Sequence, residues 1–137
     1  MTIRVFWSDS TKHLIRQVFD TTWTWHEFYD AQNDAKALAM EVQYPIAVTL
    51  ELAQNGAVPS QALTHGKNFV KQRPPNVYCT AIVTQNRFIH HLFTLFKRIH
   101  PSASEHFVIV NSFEKACVSL NAVHDCLKDQ LEENRFI

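Results

Sequence analysis

A chain of 137 residues, 46% apolar and 19% charged, can close one core without disulfide or metal support and is too apolar to remain disordered. Its 13 basic and 13 acidic residues cancel, so no bulk field draws it to polyanions or anionic membranes, and nucleic acid is not an expected partner. With only two glycines, Gly56 and Gly66, it has no glycine-rich loop to cradle a phosphate, and no apolar run approaches the ~20 residues that cross a bilayer.

Met1-Thr2-Ile3-Arg4 enters a strand pattern without a signal-peptide profile, which predicts a cytoplasmic protein. Residues Ile3 to Trp7 and His13 to Phe19 alternate across the polar break Ser8-Asp9-Ser10-Thr11 and read as an antiparallel hairpin. The first helix start is sharply marked. Thr24 is an N-cap, Glu27 completes a capping box three residues later, and Trp23 faces Phe28 as a hydrophobic staple. Trp25, Phe28, Gln32, Ala35, Leu38, Ala39 and Val42 then recur at helical spacing until Pro45 stops the helix.

Ile46 to Leu52 reads as a central strand, apolar on both faces near its start. A loop follows, and Ser60 is placed to cap a second helix running to about Gln72, with Leu63, Phe69 and Val70 inward. Pro74-Pro75 breaks that helix before a strand over Val77 to Val83. From Asn86 to His100 the third helix carries Phe88, Ile89, Leu92, Phe93, Leu95, Phe96 and Ile99, an apolar arc wider than one packing surface requires. Phe107 to Val110 forms a last strand. Ser112 caps a C-terminal helix whose Phe113, Ala116, Cys117, Leu120, Val123, Leu127 and Leu131 share a face. The predicted fold is therefore a single α/β domain over residues 1–137, a mixed sheet of about five strands flanked by four helices.

Candidate chemistry is sparse. None of the eight histidines pairs with another at the i, i+3 or i, i+4 spacing by which a helix shares one metal ion, and His26 with Asp30 reads as surface polarity. Cys79, Cys117 and Cys126 are odd in number, without Cys-x-x-Cys spacing, and read as structural thiols. No nucleophile, base and orienting group can be named together, so no catalytic residue, cofactor or metal is expected. Lys67, Lys71 and Arg73 form a basic stretch without interleaved aromatics, which reads as a solvated face.

The element order, Trp23-Thr24-Trp25-His26-Glu27-Phe28, Pro45 before the third strand, Pro75-Asn76 before the fourth and Phe113-Glu114-Lys115-Ala116 together resemble a family of small bacterial proteins. Those proteins have the fold of anti-sigma-factor antagonists, the STAS or SpoIIAA-like class. In the antagonists an Asp-Ser-Ser-Gly-like segment after the central strand holds a serine that a partner kinase phosphorylates. Here the stretch 51–60 lacks that segment and keeps Ser60 at the helix start, so the resemblance implies Ser60, with Glu51 and Asn55 before it, as candidate regulatory positions. It implies a non-enzymatic protein-interaction or regulatory module, with self-association as a dimer through the wide apolar face of the third helix. The same class resembles lipid-exchange domains. The alternative expectation is therefore an apolar small molecule beneath the second and third helices, held by Phe69, Phe88, Leu92 and Phe96.

Overall fold

The computed structural model describes residues 2–54, 56–102 and 105–121. Five strands, β1 (Ile3–Trp7), β2 (Leu14–Phe19), β3 (Ile46–Glu51), β4 (Val77–Val83) and β5 (Phe107–Val110), form one mixed sheet in the order β1-β2-β3-β4-β5. The hairpin β1–β2 is antiparallel, with Ile3 opposite Phe19 and Trp7 opposite Ile15, and every later neighbour pair is parallel. Three helices, α1 (Trp25–Ala39), α2 (Ala62–Lys71) and α3 (Arg87–Ile99), supply the crossovers. Because each crossover steps to the next strand in the same direction and right-handed turns are the rule, α1, α2 and α3 lie on one face. A fourth helix, α4, begins after Ser112 on the opposite face and is described through residue 121. Val123, Cys126, Leu127, Leu131 and the four C-terminal residues lie outside the described residues.

The period-two alternation of the strands sorts the core into these layers. Ile15, Phe19, Ile46, Val48 and Leu50 face α1 with Phe28, Ala31, Ala35 and Ala39. Ala47, Cys79, Ala81 and Val83 face Ala116 and Leu120 of α4. β3 is buried along nearly its whole length, as a middle strand covered on both sides must be. Gln17, fully buried among these residues, exchanges two side-chain amide bonds with Gln32 of α1 (3.1 and 2.7 Å), which offset the cost of taking its amide out of water.

The start of α1 forms as its sequence specifies. Glu27 N–H donates to Thr24 Oγ1 at 3.2 Å, Thr24 N–H donates to Glu27 Oε1 at 3.1 Å, and Trp23 and Phe28 stack at 5.8 Å. Two helix boundaries differ from expectation. α1 ends at Ala39 rather than running to Pro45, because Glu41 and Val42 bond three residues back and Asn76 Nδ2 donates to the Ala39 carbonyl at 3.0 Å. Ser60 does not cap α2. The cap is Gln61, in the left-handed region at φ 67°, and the Ser60 carbonyl instead accepts from Trp25 Nε1 at 2.7 Å. That indole bond aims the carbonyl at α1 and turns the chain one residue later.

Candidate functional site

Where α1, α2 and α3 meet the sheet, they border a half-open apolar cavity of about 150 Å³. Phe19, Leu50, Ile82 and Phe107 form its floor. Trp25 and Phe28 of α1, Leu63, Gly66, Phe69 and Val70 of α2, and Ile89, Leu92, Phe93 and Phe96 of α3 form its walls. The rings meet edge to face: Trp25 and Phe28 at 5.2 Å and 78°, Phe28 and Phe69 at 5.4 Å and 73°, Phe69 and Phe107 at 5.6 Å and 69°. Planar groups that meet edge to face leave space beside them.

α1 and α2 are tied along one side of the cavity. Trp25 stacks on His65 at 4.4 Å and 20°, and the Tyr29 hydroxyl shares a 2.6 Å hydrogen bond with His65 Nδ1. None of the described residues on the wall is an acid, a base or a nucleophile. A carbon-lined recess of this size has room for a molecule about as large as benzene.

Of the four residues expected to hold an apolar ligand, Phe69, Leu92 and Phe96 line the cavity, whereas Phe88 does not. Phe88 sits ~100° around α3 from the buried Ile89, which turns it to solvent. Ser60 is exposed, two residues before α2 begins. Asn55 lies outside the described residues.

Glu51 faces away from the cavity, toward the α4 side of the sheet. Its carboxylate takes a two-pronged bond from Arg16, Nε to Oε2 at 2.8 Å and the terminal nitrogen to Oε1 at 2.6 Å, and accepts from Thr49 Oγ1 at 2.9 Å. The Arg16 guanidinium also lies 4.1 Å over the Phe113 ring. Glu51 is thus committed to fastening β2, β3 and α4 together. Burial pushes the Cys79 thiol up to about 11, which keeps it protonated and inert. Among the described residues no three His, Cys, Asp or Glu side chains could together hold a metal ion, and no helix is long and apolar enough to cross a membrane.

Two features of the site went unread in the sequence, although each left a trace there. Gly66 stands in the middle of α2 on the cavity wall. The chain also holds no Asp or Glu from Leu52 to Ser104, while Lys67, Lys71, Arg73, Arg87, Lys97 and Arg98 fall in that stretch. The zero net charge conceals an acid-free stretch that includes α2 and α3. Comparison of the chain with protein-family models, with curated proteins and with solved structures found no match.

Proposed function

We propose that this protein is a non-enzymatic binding module whose cavity takes a small apolar molecule, a single ring or a short alkyl chain. Gly66 carries this reading. A mid-helix glycine costs roughly 0.5–1 kcal/mol relative to alanine, yet a Cβ placed at Gly66 meets no atom within 4 Å. No packing contact demands the glycine. Its missing side chain leaves space on the wall of an aromatic void that has no reactive group. The hairpin followed by three crossovers also supports grouping the chain with the STAS-like proteins and their lipid-exchange relatives.

The test is toluene titrated into the protein and followed by amide chemical shifts. The unaltered chain binds, with shifts concentrated on α2 and α3, whereas Gly66→Leu fills the void, melts no lower and loses at least tenfold in affinity. A wild-type protein indifferent to toluene refutes the reading.

The protein-interaction module is the second reading, favoured by the outer flank of α3, where Phe88, Leu95 and Ile99 are 61%, 44% and 56% exposed. A second copy of the chain seated on this flank would make a dimer. Light scattering on the wild type and on Leu95→Gln/Ile99→Gln checks it, since this reading requires a dimer that the double variant dissociates. Exposed Ser60 is the place at which a phosphate would regulate such contacts, and Ser60→Asp should alter them.

A further inference from the structure

Beside the apolar cavity lies a second chamber of about 160 Å³, bounded by α1, the C-terminal end of α2, the turn at Pro74 and the sheet. Phe69 and Phe107 border both spaces, so a single edge-to-face ring pair forms the partition. The chemistry changes across it. Gln17, Gln32, Gln72 and Thr80 bring amides and a hydroxyl into the second chamber, Lys36 and Arg73 bring positive charge, and no Asp or Glu is among its described lining residues.

Two cations beside a polar, partly enclosed space without a carboxylate form a receptor for an anion. Gln17 and Gln32 are already bonded to each other, so they set the shape of the chamber rather than compete for its charge. Arg73 donates one terminal N–H to the Val77 carbonyl, which orients the guanidinium and leaves its other donors for a ligand. The stretch from Leu52 to Ser104, which supplies Arg73, holds no acid, and the acids of α1 (Glu27, Asp30 and Asp34) are not among the lining residues.

From these observations we infer that the ligand is a monocarboxylic amphiphile. Its tail of about six carbons, the size a ~150 Å³ void accepts, fills the apolar cavity. The Phe69 ring turns away from Phe107, with which it is in edge-to-face contact in the empty protein, to let the chain through, and the carboxylate is set against Arg73 and Lys36. This rests on the cavity binding an apolar group, as proposed above, and adds the charge and position of the head.

Calorimetric titration of the protein with octanoate and with 1-octanol at pH 7.5 tests both levels separately. Octanoate binds at least tenfold tighter than octanol. Lys36→Met with Arg73→Gln brings octanoate down to the affinity of octanol and leaves octanol unchanged. Should loss of the Arg73 bond to Val77 unfold that double variant, Lys36→Met alone decides, with an expected loss of about threefold for octanoate only. Octanoate binding no tighter than octanol, or unchanged in the folded variants, overturns the anionic head group while leaving the apolar cavity standing. Failure of both ligands to bind removes the cavity reading as well.

Discussion

α1 and α3 are both amphipathic and lie on the same face of one sheet, yet they are held in opposite ways. α1 is fastened at its start by the box of Thr24 and Glu27 and by the Trp23–Phe28 staple, and it buries Ala31, Ala35 and Ala39 at four-residue intervals. Those small side chains let the helix axis approach the strands closely. α3 has the wider apolar arc but buries Ile89 alone, and its inward residues Leu92, Phe93 and Phe96 are large. Bulky groups at a helix contact hold the helix off its neighbour. The strength of an apolar pattern and the tightness of its packing are therefore separate properties. Here alanine closes one half of the layer and rings prop the other half open.

The contrast can be broken most severely at its anchor. Phe28→Ala removes a ring that touches Trp23, Trp25 and Phe69, and should cost about 3–5 kcal/mol in denaturant unfolding. A loss below about 1 kcal/mol would mean that α1 is no better packed than α3. Thr24→Ala removes half of the capping box and should cost about 1 kcal/mol.

Part of the Thr24 effect depends on pH. Bonds from Thr2 first, then from Thr24, hold the Glu27 carboxyl below its ordinary value of 4.5. A group with a depressed folded value stabilises fully above its ordinary value, and that contribution fades as pH falls through the folded one. The difference between wild type and Thr24→Ala should therefore narrow below about pH 4.5.

The smallest effect belongs to the open side. Leu95→Gln and Ile99→Gln, on the exposed flank of α3, should each change the stability of the monomer by no more than about 0.5 kcal/mol. A loss of 2 kcal/mol or more would show that the flank is covered in solution, and the contrast with α1 would then vanish.

Much of the layout was legible because it is written in local chemistry. The strands over 77–83 and 107–110, the box at Thr24 and Glu27, and the cap at Ser112 each depend on residues within a few positions of one another. Ser60 was misassigned as a cap because the deciding partner, the Trp25 indole, is 35 residues away. The early end of α1 has the same origin, since Asn76 reaches the Ala39 carbonyl from 37 residues along the chain. Glu51 stands in the sequence as a candidate regulatory position, and only strand pairing, which sets Arg16 opposite Thr49, brings the guanidinium within reach of its carboxylate.

For the site, the resemblance to lipid-exchange domains implied Phe69, Leu92 and Phe96, and each lies on a helix face that turns inward. It could not exclude Phe88, since the edge of an apolar arc becomes wall or surface according to what stands beside it. By itself, then, the sequence determined the type and order of the elements and which side of each is apolar, because short-range sterics and hydrogen bonding set both. Only tertiary structure decided that rings from three helices meet without filling the space between them, and that Lys36 and Arg73 border a neighbouring chamber. A void is a property of the distances between elements, and those distances are set by side-chain volumes brought together from across the whole chain.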